Sequence, residues 1–123
     1  MTQRITATEA ADQAALFRWA AYQRGKYPEL RMLMAVPNGG SRHLAEATNL
    51  KRQGVRAGFP DMLLLVPRGG YHGLAIELKR QRGGTVSPEQ TEWLVALTEQ
   101  GYKATVCRGF DEAVRTIMGY LEG

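Results

Sequence analysis

The chain has one cysteine, Cys107, among its 123 residues. A single thiol excludes an internal disulfide and a multi-cysteine zinc site. No apolar run approaches the ~18 residues that a membrane span requires. The first residues, 1–12, mix polar and acidic groups and lack the apolar stretch of a secretory signal. There is no G-x4-G-K-[ST] sequence, so ATP-driven chemistry has no support. His43 and His72 have no second histidine four residues away, which excludes the helical histidine pair of many metal sites. Repeats and low-complexity segments are missing as well. The expectation is a soluble, intracellular domain, cytoplasmic and without a membrane partner.

The composition fits one hydrophobic core and one domain spanning residues 1–123, with 44% hydrophobic residues. The net charge of +4 is unevenly spread. Residues 39–84 hold eight basic residues (Arg42, Lys51, Arg52, Arg56, Arg68, Lys79, Arg80, Arg82) against the three acids Glu46, Asp61 and Glu77. The remainder holds eight basic and nine acidic residues. A positive field gathered in one stretch suits a polyanionic partner, and equally a well-solvated surface.

Periodicity predicts a helix from Thr6 to about Arg24, with Leu16, Phe17 and Ala20 on one face. A short strand follows over 31–36, stopped by Pro37-Asn38-Gly39-Gly40. Ser41 is placed to cap a helix running to about Gln53. The apolar run Met62 to Val66 predicts a buried strand, Pro67 to Tyr71 a turn, and Gly73 to Lys79 an alternating strand. Ser87-Pro88 opens a helix that Gly101 closes. Lys103 to Arg108 reads as a strand and Asp111 to Leu121 as a last helix. This order predicts an α/β fold: a mixed sheet covered by helices. Trp19, Trp93 and Cys107 read as core residues, and the histidines as surface or turn residues.

Two acids stand where acids are depleted. Asp61 opens an apolar strand and Glu77 lies inside another. If 61–66 and 72–79 form an antiparallel hairpin with Val66 opposite His72, Asp61 falls opposite Glu77. Their Cβ atoms are then roughly 5 Å apart on one face. Two facing carboxylates repel unless a cation lies between them, and oxygen ligands favour Mg²⁺ or Mn²⁺ over zinc. Lys79 shares the Glu77 face, two residues on. Taken singly, Glu77 and Lys79 read as a surface ion pair and Asp61 as a turn residue after Pro60. A one-residue slip of the register would put Asp61 on the other face.

Pro60-Asp61 followed by Glu77-Leu78-Lys79 is similar to the signature of the PD-(D/E)xK nuclease superfamily. The run from Gly54 to Asp61, Ile76-Glu77-Leu78-Lys79 and Ser87-Pro88-Glu89-Gln90 resemble the VRR-Nuc family of virus-type replication-repair nucleases. Glu9, Gln13 and Pro37-Asn38-Gly39-Gly40 match its pattern too, so the resemblance covers roughly residues 8–121. It implies a restriction-endonuclease-like core, with a central mixed β-sheet flanked by α-helices, in a bacterial or phage-encoded protein. It implies catalytic roles for Asp61, Glu77, Lys79 and Gln90. It implies metal binding by Asp61, Glu77, the Leu78 carbonyl and Glu9, with Lys79 positioning the attacking water. The reaction implied is Mg²⁺- or Mn²⁺-dependent hydrolysis of a DNA phosphodiester to a 5′-phosphate and a 3′-hydroxyl.

Several of these residues have a structural reading beside the functional one. Thr6-Ala7-Thr8-Glu9 is a possible capping box, and Ser87-Pro88-Glu89-Gln90 is a good one. Asn38-Gly39 serves equally as a simple turn. Asn38, Gly39, Arg42, Lys51, Arg52, Arg56, Arg80 and Arg82 are candidate DNA contacts, to phosphates rather than bases. Stand-alone members of the family resemble Holliday junction resolvases, which act as homodimers on branched DNA. The expectation is therefore a homodimeric, structure-specific endonuclease. The alternatives are a flap or single-strand nuclease of a phage replication or repair system, a non-catalytic DNA-binding module, and a structural domain with fortuitous acids.

Overall fold

The computed structural model describes residues 2–37 and 44–123, with side chains described from residue 9 in the first helix and from residue 48 in the second. Helix α1 (Thr2–Gln23) leads through a 3₁₀ turn (Pro28–Met32) into strand β1 (Leu33–Ala35). Helix α2 (Leu44–Arg52) precedes β2 (Met62–Leu64) and β3 (Leu74–Lys79). Helix α3 (Pro88–Glu99), strand β4 (Lys103–Arg108) and helix α4 (Gly109–Glu122) complete the chain. The strands lie side by side in the order β1-β2-β3-β4, with the first two pairings antiparallel and the β3–β4 pairing parallel. The connection between the parallel pair is α3, the crossover such a pair requires.

Strand alternation decides what each face carries. Leu33, Met62, Leu64, Leu74, Ile76, Leu78 and Cys107 are buried together with Leu16 and Ala20 of α1 and Ala113, Ile117 and Leu121 of α4. Leu16 and Ala20 are four residues apart, one turn of helix, so both reach the same face. The opposite face of β3 and β4 is covered by α3. All six residues of β3 are therefore buried, Glu77 and Lys79 included. The cover stops short of β1 and the end of β2: Met34 is 46% exposed, and Leu65, just past β2, is 44% exposed.

The hairpin register matches the expectation where it matters. Met62 pairs with Ile76 and Leu64 with Leu74, so one further step places Asp61 opposite Glu77. The turn differs. Gly69 and Gly70 form its tip at φ +56° and +88°, closed by reciprocal hydrogen bonds between Arg68 and Tyr71. Two consecutive positive φ values are those of a type I′ turn, which glycine adopts without strain. The Arg68–Tyr71 pairing is one residue out of step with the β2–β3 ladder. The expected Val66–His72 pair is not made: His72 N–H donates to the Gly101 carbonyl instead.

Other boundaries move for local reasons. Pro28 stands in the first turn of the 3₁₀ segment, with φ already set, so residues 28–32 coil and the strand expected over 31–36 shrinks to three residues. Helix α1 begins before Thr6, which removes the expected capping box, since Thr6 is inside the helix. Ser41, the expected cap of α2, lies outside the described residues.

Candidate active site at the end of β3

Asp61 is anchored by its backbone and its side chain. Its carbonyl accepts the Val36 N–H at 2.8 Å, joining it to the end of β1. Its Oδ2 accepts the Leu78 N–H at 2.7 Å. Leu78 lies beyond the end of the β2–β3 ladder, so the carboxylate takes the place that a further β2 residue would fill. In an extended strand a residue's N–H and C=O point to the same edge. The Leu78 carbonyl therefore faces the edge that Asp61 occupies.

Glu77 is 3% exposed and Lys79 8%. Burial of this kind removes the reading of the two as a surface ion pair on an open sheet. Lys79 Nζ lies 3.6 Å from Glu77 Oε2, and Gln90 Nε2 donates to the same oxygen at 3.0 Å. Glu77 Oε1 is buried and has no hydrogen-bond partner. Burial, and next the Asp61 carboxylate, push the Glu77 carboxyl up from an ordinary 4.5 to about 8. Lys79 pulls the other way without prevailing. An unpartnered buried oxygen beside a second carboxylate is costly as an anion pair. Two carboxylates, one of them with a free buried oxygen, and an adjacent main-chain carbonyl form a hard oxygen donor set of the kind that suits Mg²⁺ or Mn²⁺.

Gln90 satisfies both of its readings at once. Its N–H donates to Ser87 Oγ at 3.1 Å and its Oε1 accepts the Ser87 N–H at 2.8 Å, a complete capping box at the start of α3. Its remaining Nε2 donor is the one that reaches Glu77. The helix cap thus fixes the amide that holds the carboxylate.

The remaining candidates differ in their exposure. Glu9 is half-buried in α1, but among the described residues no group of three or more His, Cys, Asp or Glu side chains gathers at one point. Lys51, Arg52, Arg56 and Arg82 are exposed, the first two in the last turn of α2. Arg80 is half-buried, packed on the Gly83-Gly84 turn with its Nε buried and unpartnered. Asn38, Gly39 and Arg42 lie outside the described residues.

Gly58 sets the approach of the Asp61 loop to α3. It sits at φ +84°, and a Cβ there would come within 2.7 Å of Glu89 Cβ and 2.9 Å of the Glu89 carbonyl carbon. Gly58→Ala is expected to cost about 1–3 kcal/mol of stability. It is also expected to lower activity, by pushing the α3 N-terminus and Gln90 away from Glu77. Urea unfolding together with single-turnover rates checks both effects. A variant with an unchanged midpoint would show that the loop relaxes at no cost.

Two features escaped the sequence reading. Arg108 Nη1 donates to the Gly83 carbonyl at 2.7 Å and tethers the turn after β3 to the end of β4. Trp93, expected in the core, is only half-buried and forms the wall of a groove with Phe59. Both depend on contacts between segments distant in sequence, which no local pattern announces.

The family model of the VRR-NUC domain matches residues 7–111. A solved structure described as a VRR_NUC domain protein is similar to this chain with a TM-score of 0.80 and 32% sequence identity. The match covers 94% of this chain and 88% of that one. No curated protein matches the chain.

Proposed function

The chain belongs to the VRR-NUC domain family, a family of nucleases, and on that premise we propose that it is a divalent-metal-dependent endodeoxyribonuclease acting on branched DNA. The observation that carries the metal dependence is Glu77: a buried carboxylate with one unpartnered oxygen, facing Asp61 and flanked by Lys79. Asp61, Glu77 and the Leu78 carbonyl would hold Mg²⁺ or Mn²⁺, and Glu9 is the further candidate ligand. Bound there, the ion supplies a lowered pKa for water and stabilises charge on the phosphate oxygens.

The chain's own groups do the rest. Lys79 is buried beside Glu77 and would orient a water molecule and offset charge at the scissile phosphate. Gln90 holds Glu77 Oε2 in place and is itself held by Ser87. Lys51, Arg52, Arg56, Arg80 and Arg82, with Asn38, Gly39 and Arg42, are the proposed phosphate contacts. These position a backbone without reading sequence. A homodimer would bring two such sites to the two strands of a junction, and two-fold pairing is the commonest symmetry. Among the described residues no helix is long and apolar enough to cross a membrane.

The test is cleavage of labelled four-way junction, flap, single-stranded and linear duplex DNA with Mg²⁺, Mn²⁺ or EDTA. Wild type is compared with Lys79→Ala. Paired symmetric cuts in the junction, lost in EDTA and in the variant, are the expected result. Metal-dependent cutting of flaps or single strands alone would replace the junction with the second substrate class. Binding without any cutting would leave a DNA-binding module.

A further inference from the structure

A groove of about 580 Å³ is lined by Val36, Leu50, Val55, Phe59 and Trp93, with Arg56 among its lining residues. Its volume is that of a small-molecule site. Three of its walls are tied to the catalytic groups. Val36 donates its N–H to the Asp61 carbonyl. Phe59 precedes Pro60-Asp61 in the chain. Trp93 lies one turn along α3 from Gln90, which holds Glu77. The two rings meet edge to face, centroids 4.9 Å apart, and the Trp93 indole N–H is committed to the Ala57 carbonyl at 3.1 Å.

We propose that this groove receives one unpaired nucleobase of the DNA strand whose phosphate lies at Asp61 and Glu77. The proposal rests on the nuclease reading and narrows its substrate. The lining is apolar and aromatic, which suits the flat face of a base, and base–aromatic stacking is tolerant of sequence. Arg56 is exposed and cationic, as a group beside the attached phosphate should be. In an intact duplex the bases are stacked and paired, so none can enter a side groove without being extruded. A base pocket whose walls are joined to the Asp61 loop and to the Gln90 helix therefore selects DNA with an unpaired nucleotide near the cut, as at a branch point or a single-strand junction. The indole N–H is already used within the protein, so this wall stacks a base without reading its identity.

The experiment measures binding by fluorescence anisotropy in EDTA, where no cutting occurs. The probe is a fluorescein-labelled forked oligonucleotide, natural or with a single tetrahydrofuran abasic site moved stepwise through the junction. The expected result is one position at which loss of the base weakens wild-type binding about tenfold. Val55→Phe, which fills the groove and touches no catalytic group, should bind the natural fork about tenfold more weakly and lose that penalty. Exchanging the four bases at that position should change binding less than threefold. Equal affinity for all abasic probes overturns the proposal, whatever the variant does. A concentration-dependent dimer in sedimentation that Val55→Phe dissolves, without an abasic penalty, also overturns it and gives the groove to a second copy of the chain. Adding Mg²⁺ to the same samples separates the two readings. A penalty without cutting removes the nuclease reading alone, and cutting without a penalty removes the pocket alone.

Discussion

Glu77→Gln is expected to abolish cleavage and to make the metal-free protein more stable. The two effects have one cause. In the wild type, the Glu77 carboxyl is buried beside Asp61 and its proton is held up to about pH 8. In the unfolded chain the same group loses its proton near 4.5. A carboxyl with a raised folded-state pKa contributes its full stability below the unfolded value and loses it as pH rises through the folded one. Between about 4.5 and 8 the folded state binds the extra proton, so the metal-free wild type weakens as pH rises. The slope approaches the one-proton limit of about 1.4 kcal/mol per pH unit. Glutamine carries no proton to lose. Its amide offers both a donor, toward Asp61, and an acceptor, toward Gln90 and Lys79. The variant should therefore gain over wild type steadily across that window.

Cleavage should respond in the opposite sense. A neutral amide is a poor ligand for a hard divalent cation, and loss of one such charge at a phosphoryl-transfer site is expected to slow cutting by about a thousandfold or more. Thermal melting of both proteins in EDTA from pH 4.5 to 8.5, repeated with Mn²⁺, checks the pair of effects. In EDTA the melting temperature of the wild type should fall relative to the variant as pH rises. Mn²⁺ should restore the wild type at pH 8 and leave the variant unmoved. A variant that melts in parallel with wild type at every pH would show that Glu77 is ionised throughout, and the buried-proton account would fail.

The Asp61–Glu77 pairing was legible in the sequence because a two-period strand on each side of a short turn leaves few registers that bury the apolar residues. The path of the turn was not, because the tip formed by Gly69 and Gly70 is one residue out of step with the ladder. What could not be read was depth. Leu74 to Lys79 alternates apolar and mixed residues, a pattern that suits a half-exposed strand. Yet α3 covers the second face and buries Glu77 and Lys79. That burial is a tertiary event, and it is what raises the Glu77 carboxyl. The same holds for the groove, whose walls come from the residues just after β1, from α2, from the loop before Asp61 and from α3. Local signals were read correctly where they were self-contained, as at Ser87-Pro88-Glu89-Gln90. They misled at 31–36, where Pro28 coils the chain before the strand begins.

Gln90→Glu is expected to keep the fold and lose the activity, because Gln90 uses its two ends for different purposes. Its Oε1 accepts the Ser87 N–H, and its Nε2 donates to Glu77. A glutamate reproduces the first bond, being the other residue that closes a capping box. It adds negative charge in the first turn of α3, which the helix dipole favours. At the other end it replaces a donor with a carboxylate oxygen facing Glu77 Oε2, so three acids crowd one buried corner. Repulsion there should drive Glu77 from its position, slow cleavage on the order of a hundredfold, and shift the pH optimum upward. Ser87→Ala provides the contrast. It breaks the cap, at about 1 kcal/mol, and leaves the Nε2 bond to Glu77 available. Single-turnover rates against pH, measured beside urea midpoints, separate the two. If Gln90→Glu cuts like wild type while Ser87→Ala is impaired, the glutamine is a helix cap alone and the positioning role assigned to its amide is wrong.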